Sequence, residues 1–307
     1  MKTTTIRSAL KYPFMTIMLC YCLLSCKKDF QATVPGDGRG SYINFYNASE
    51  ALIQSGNGTT FLTQENRVYI NDSISRSPFF QYPVFSTAYS DREFPLNANG
   101  SNSFQISDEI TVPSDANYSL VYWLPILSGR YKFIFTSGNK VYLKDTTVSL
   151  EPKTFAAQYL VEGPESDMAY RIVTTPVKEE QEKGKTTLQV VNLSPDVGKI
   201  DVWRAGENGK RITTDLPGAL AFGEYYTSHA DTTGASATNG RLYLNVSPSG
   251  SNQVLLTVAV PAVSESSFIV QVQGFIRQAN RRIKSSNTDY ATISIKPNFR
   301  IKLRRLY

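Results

Sequence analysis

The 307-residue chain is poor in the side chains that most often carry chemistry. Its three cysteines, Cys20, Cys22 and Cys26, all lie near the start, so nothing after Cys26 can form a disulfide, a thiolate metal site or a cysteine nucleophile. A single histidine, His229, excludes the paired-histidine zinc site of the His-Glu-x-x-His type. The small residues around it, from Thr227 to Ser236, read as a solvated loop rather than the setting of a catalytic base. There is no Gly-x-Ser-x-Gly elbow, no Gly-x4-Gly-Lys phosphate loop and no Asp-x-Asp-x-Asp-Gly calcium run. Gly36-x-Gly38-x-Gly40 is too short for a nucleotide fingerprint. No cofactor and no metal is expected.

Sustained helical periodicity is missing as well. The composition, 41% hydrophobic and 19% charged, is that of a folded globular protein rather than a disordered or multispanning one. A net charge of +6 normally raises nucleic acid as a partner, but the excess is confined to the ends. Lys2, Arg7 and Lys11 lie in the first 25 residues. Residues 277–307 hold nine Lys and Arg against one acid, Asp289, and the stretch between is net acidic. No nucleic-acid partner is expected.

The basic start is followed by an uncharged apolar run from Tyr12 to Leu24. Thirteen helical residues reach about 20 Å, too short for a hydrocarbon core of about 30 Å. The segment therefore reads as a signal-peptide core. Its end, Leu23-Leu24-Ser25-Cys26 before Lys27-Lys28-Asp29, resembles the lipobox of bacterial lipoproteins. That resemblance implies removal of residues 1–25, acylation of Cys26 and a membrane partner reached through the lipid anchor. Two or three acyl chains would hold it stably. Lys27, rather than Asp, implies the outer membrane, with the face left open. Residues 26–40 read as a lipidated flexible tether.

From Ser41 onward, short runs rich in Val, Ile, Tyr, Phe and Thr are punctuated by turn residues every eight to twelve positions, the pattern of an all-β protein. Strands are expected at Tyr42 to Tyr46, Arg67 to Ile70, Ser119 to Trp123, Tyr131 to Thr136, Val141 to Lys144, Thr147 to Leu150, Thr154 to Val161 and Tyr170 to Thr174. The second half offers Thr187 to Asn192, Lys199 to Arg204, Leu242 to Val246, Val254 to Val260, Ser267 to Gly274, Tyr290 to Ile295 and Phe299 to Leu303. In one of these, Phe268, Val270 and Val272 alternate with Ile269, Gln271 and Gln273, which predicts a half-buried antiparallel strand.

Residues 178–185 contain no apolar side chain and read as a charged linker, or as a solvated loop if the chain forms one large sandwich. The linker reading gives a first β-sandwich domain at 41–177 and a second at 186–307. A weak internal repeat supports it: Asn47-Ala48-Ser49 aligns with Asn192-Leu193-Ser194, and Thr147 to Pro152 followed by Phe155 to Gly163 parallels Leu256 to Pro261 followed by Phe268 to Gly274. Units of this size suit tandem immunoglobulin-like antiparallel sandwiches.

The run Val190-Val191-Asn192-Leu193-Ser194-Pro195-Asp196, with Asp201-Val202, resembles the opening of the immunoglobulin-like domains of domain-of-unknown-function family 4397. Ser128-Gly129-Arg130-Tyr131-Lys132-Phe133 with Val148 to Phe155 is similar to that family's Gly-x-Tyr hairpin. Many members are Bacteroidota-type lipoproteins with two such units. The resemblance implies fold and address but transfers no catalytic residue. Asn-x-Ser-Pro-Asp is itself a turn motif whose side chains satisfy backbone donors.

Two segments are candidates for binding. Residues 78–94 hold Phe79, Phe80, Tyr82, Phe85, Tyr89 and Phe94, either an aromatic recognition loop or core packing. The C-terminal run sends Arg300, Lys302 and Arg304 to one face of a strand and Phe299, Ile301 and Leu303 to the other. The basic face is either an anion-binding surface, extended by Arg277, Arg281, Arg282 and Lys284, or the charge that protects an edge strand from aggregation. Asp108, Glu109, Asp196, Asp201 and Asp215 are available for paired-carboxylate hydrolysis, or are plain surface acids.

The expectation is a lipid-anchored binding, adhesion or structural module that is not an enzyme, with an envelope glycan or protein as its partner. The alternatives are a carbohydrate-active protein using paired carboxylates and a periplasmic scaffold for an envelope complex.

Overall fold

The computed structural model describes residues 40–56, 67–70, 104–105, 118–136, 141–165, 170–178, 182–206, 210–212, 216–233 and 239–306. Cys26, the tether and the aromatic candidates Phe79, Phe80 and Tyr82 lie outside them. In the first half the elements are β1 (Gly40–Asn47), α1 (Glu50–Gly56), β2 (Arg67–Ile70), β3 (Phe104–Gln105), β4 (Tyr118–Leu120), β5 (Tyr122–Leu127), β6 (Gly129–Thr136), β7 (Tyr142–Leu150), β8 (Phe155–Glu162) and β9 (Tyr170–Val177). The second half adds β10 (Lys185–Asn192), β11 (Ile200–Ala205), β12 (Arg211–Ile212), β13 (Tyr225–Asp231), β14 (Arg241–Pro248), β15 (Leu256–Pro261), β16 (Ser266–Gln273), β17 (Ala279–Lys284), β18 (Tyr290–Ile295) and β19 (Arg300–Arg305). The fold is all-β, built of stacked sheets.

Each half has the same plan. In the first, β1 lies parallel to β8 and antiparallel to β5, and β8 is antiparallel to β9. In the second, β10 lies parallel to β16 and antiparallel to β13, and β16 is antiparallel to β19. The sequence repeat marks this plan at the ends of β1 and β10. The Asn47 side-chain oxygen accepts the Ser49 N–H at 3.0 Å, and the Asn192 oxygen accepts the Ser194 N–H at 3.1 Å. In each case the next strand carbonyl closes the turn, Leu160 for Ala48 and Val272 for Leu193. A buried turn must satisfy its own donors, which is why the same side chain recurs.

Among the described residues, three apolar cores separate the sheets. Ile43, Phe45, Phe133, Phe135, Leu143 and Leu160 fill the first, between the sheet β3-β5-β1-β8-β9 and the sheet β2-β6-β7. Leu188, Val190, Val202, Leu244, Phe268, Val270 and Leu303 fill another, between β13-β10-β16-β19-β4 and β12-β11-β14-β15. The third lies between the two five-stranded sheets, where Tyr42, Tyr46, Trp123 and Tyr159 meet Val191, Leu193, Ile269 and Leu306. Neighbours on β1 therefore serve different cores: Ile43 and Phe45 face outward from the seam, Tyr42 and Tyr46 into it.

The halves are not closed off from each other at residues 178–185. Phe275, Ile283 and Ile295, from the second half, are buried in the first core, and β4, from the first half, pairs with β19. The charged segment itself is a tight passage between sheets at its second end, where Gly184 adopts φ 80 and Lys185 pairs with Glu182 at 2.6 Å.

This stacking changes the reading of β16. It alternates as expected, but all eight of its residues are buried, and it pairs parallel to β10 on one side. Its polar face is covered by the first sandwich, so Gln271 and Gln273 lie 0% and 1% exposed. His229 likewise lies on β13 rather than in a loop, half-buried, with Nδ1 3.1 Å from the Thr187 hydroxyl.

Candidate functional site

The basic face expected of β19 is not a surface. The strand runs inside a sheet between β16 and β4, so it needs no edge protection either. Arg304 is 0% exposed. Its Nη1 and Nη2 donate to the Asn44 side-chain oxygen at 3.2 Å each, and its guanidinium lies 4.5 Å from the centre of the Tyr46 ring. Arg300 pairs with the carboxylate of Glu50, and Lys302 is half-buried. The alternation was legible in the sequence and its aliphatic face does join the core, through Leu303 with Phe299 and Ile301 packed alongside. What the sequence did not carry is the sandwich lying on the charged face.

The carboxylates are similarly committed. Asp196 accepts the N–H groups of Ile276 and Arg277, both at 2.9 Å. Asp201 accepts those of Ala219 at 2.7 Å and Gly250 at 3.0 Å. Burial works to raise the Asp201 pKa, but these backbone donors and Arg211 hold it below the ordinary range. Asp108, Glu109 and Asp215 lie outside the described residues.

A carboxylate pair that sequence spacing did not show is buried at the end of β1. Glu162 accepts the Ser49 hydroxyl, the Glu50 N–H at 3.1 Å and the Ala51 N–H at 2.9 Å. Glu50 accepts from Asn298 and Arg300. The two acids are 3% and 1% exposed. Burial raises the Glu162 pKa, with the Glu50 charge adding to it, against the pull of the Ser49 and Ala51 donors. Neither acid of this buried pair opens to a substrate; the pair ties α1 to β8 and β19.

The open ground lies on β13, an edge strand of its sheet. Most of the large aromatics of the described chain are buried, but Tyr225 and Tyr226 are 40% and 42% exposed. Successive residues of a strand point to opposite faces, so the two rings flank the strand. Tyr225 is paired with Val191 and Tyr226 with Val190. Beside them is an open depression of about 770 Å³, shaped by Leu216, Pro217, Gly218, Leu220, Gly223 and Glu224 together with both tyrosines. A second, of about 440 Å³, is lined by both tyrosines with Pro176, Lys178, Thr227 and His229. That second depression sits on the seam, where the Gln189 amide donates to the Pro176 carbonyl at 2.7 Å.

Glutamate, lysine, threonine and histidine side chains around two exposed phenols give donors and acceptors beside flat apolar faces. The sequence signal for this strand was weak because its inward positions, Ser228 and Ala230, are small. The adjacent tyrosines, both favoured in strands, were the available clue.

No family model matches the chain, and no curated protein matches it. Among solved structures it is similar to an alpha-glucan-binding streptococcal virulence factor, at 11% identity over 75% of this chain and 93% of that one, with a TM-score of 0.22. It is also similar to the family 26 carbohydrate-binding module of Eubacterium rectale Amy13K, solved with maltoheptaose, at 12% identity over 84% and 98% with a TM-score of 0.18. The fimbrial anchor protein Mfa2 of Porphyromonas gingivalis matches at 14% identity over 88% and 99%, with a TM-score of 0.16. At these scores the functional argument rests on the residues of this chain.

Proposed function

We propose that the protein is a lipid-anchored envelope module that holds a neutral glycan on the Tyr225–Tyr226 edge, and that it binds rather than transforms its ligand. One observation carries the reading: two neighbouring tyrosines, each about two-fifths exposed, stand on an edge strand and line two open depressions. Phenol rings stack on the C–H faces of sugars, and Glu224, Lys178 and Thr227 are of the right chemistry to take hydroxyls. Wide, shallow ground suits a chain ligand better than an enclosed small molecule.

The commitment of Asp196, Asp201, Glu50 and Glu162 to internal partners supports binding over hydrolysis. The address rests on Cys26 and its lipobox, and the relationship to family 4397 on the Asn-x-Ser-Pro-Asp turn.

Screening the protein from residue 27 onward on an array of neutral glycans, followed by calorimetry on the best binder, tests the reading. Tyr225→Ala with Tyr226→Ala should weaken that binding at least about tenfold, since each stacked ring contributes on the order of 1 kcal/mol, and should leave the melting temperature unchanged. Equal affinity in the variant, or no retained neutral glycan, overturns it. Acyl labelling of the full chain, lost in Cys26→Ala, tests the anchor.

A further inference from the structure

The positive charge that β19 buries reappears on the hairpin formed by β17 and β18. Its register pairs Arg282 with Thr292 and Lys284 with Tyr290. Ile283 and Ile295 are buried in the first core, with Ala279, Ala291 and Ile293 packed against it. By alternation, Arg282, Lys284, Tyr290 and Thr292 occupy the opposite, outward face. There Arg282 lies 5.1 Å from the centre of the Tyr290 ring, and Lys284 lies 5.1 Å from that of Tyr142. The result is one row of alternating rings and cations, in the order Tyr142, Lys284, Tyr290, Arg282. Tyr290 is 44% exposed.

From Arg277 to Lys296 there are five basic residues against Asp289 alone. Among the described residues none of Arg277, Arg281, Arg282, Lys284 and Lys296 pairs with a carboxylate. The nearby acids are all engaged, Asp145 beside Tyr142 at one end of the row. Asp289 holds the turn through the hydroxyls of Ser286 and Thr288, at 2.8 and 3.2 Å. Asp145 pairs with Lys132 at 2.7 Å, and Asp196 holds the backbone of Ile276 and Arg277.

We infer that this row is a second binding site, one for an acidic polysaccharide. Cations held over aromatic faces have little freedom left to lose on binding. The exposed Tyr290 ring between them lets a sugar ring stack while the chain's carboxylate or sulfate groups meet Lys284 and Arg282. The inference does not rest on the Tyr225–Tyr226 reading.

The test uses heparin as probe, by column elution and by fluorescence titration of a labelled chain at physiological salt. Arg282→Gln with Lys284→Gln should weaken binding at least about tenfold, two charge-assisted contacts being removed. Tyr290→Ala should weaken it by a smaller factor through loss of stacking. Lys153→Gln with Lys199→Gln, which removes the same charge from exposed positions elsewhere, should change it less than about twofold. Tyr225→Ala with Tyr226→Ala should bind heparin as the parent does, which separates this site from the neutral-glycan site.

Equal losses in the hairpin and the scattered pair would reduce the effect to net charge and overturn the proposal. So would an unchanged Arg282→Gln, Lys284→Gln variant. Binding to phosphatidylglycerol vesicles without heparin binding would overturn it in favour of a membrane-facing hairpin.

Discussion

Replacing Arg304 distinguishes a buried pin from a surface cation. Its guanidinium makes two contacts with Asn44 and lies over Tyr46, with no solvent exposure. Hydrogen bonds from a charged donor contribute about 1.5–3 kcal/mol each, and a desolvated cation–π contact about 2 kcal/mol. Several kcal/mol of desolvation oppose them. Truncation to alanine loses the contacts and opens a cavity at the seam, for an expected loss of about 3–5 kcal/mol. In a chain of this size that lowers the melting temperature by roughly 10 °C. Arg304→Met keeps most of the volume and removes the charge, so it should cost less than the alanine variant. Urea unfolding and calorimetry of both variants provide the measurement, with heparin elution alongside. A melting temperature within about 2 °C of the parent for Arg304→Ala, together with earlier elution from heparin, would refute the burial argument and return the residue to the surface.

Three further outcomes follow from local geometry. Gly274 has φ 86, and a methyl group there would overlap the Asn298 carbonyl oxygen; Gly274→Ala should cost about 2–4 kcal/mol by urea unfolding. Asp201→Asn leaves an amide where the N–H groups of Ala219 and Gly250 both need an acceptor, so it should cost about 1–2 kcal/mol. Because the folded pKa of Asp201 is lowered, its contribution is full above pH 4 or so and fades as pH falls through the folded value. Glu162 has the opposite sign: burial raises its folded pKa, so the native state holds the proton more tightly and loses stability as pH rises from about 4.5 through the folded value. Glu162→Gln should flatten that segment of a stability-versus-pH curve, and an unchanged slope would contradict the assignment.

Periodicity carried much of this architecture. The alternation in Phe268 to Gln273 and in Phe299 to Arg304 gave the right faces, because side-chain direction is a property of the strand alone. It could not give what covers a polar face. Gln271 and Arg304 look like solvent-facing residues until a second sandwich is laid over them, and no local pattern encodes that docking. The turn at Asn47 and Asn192 was legible for the opposite reason, since the asparagine side chain satisfies the N–H of the serine two residues on. β13 was hidden by Ser228 and Ala230, whose small side chains suffice where another sheet lies close. β17 was hidden by arginines that shield a single buried isoleucine, Ile283.

The arrangement of the hairpin also bears on how the chain comes to be folded. Phe275, Ile283 and Ile295 complete a core whose other members begin at Ile43, and Glu50 reaches Arg300 across 250 positions. An emerging polypeptide therefore cannot finish its first sandwich until nearly all of it has been delivered. Contacts of such sequence separation make for slow folding. A fragment halted at residue 177 would lack Phe275, Ile283 and Ile295 and leave that side of the first core uncovered, and apolar surface exposed in this way promotes aggregation.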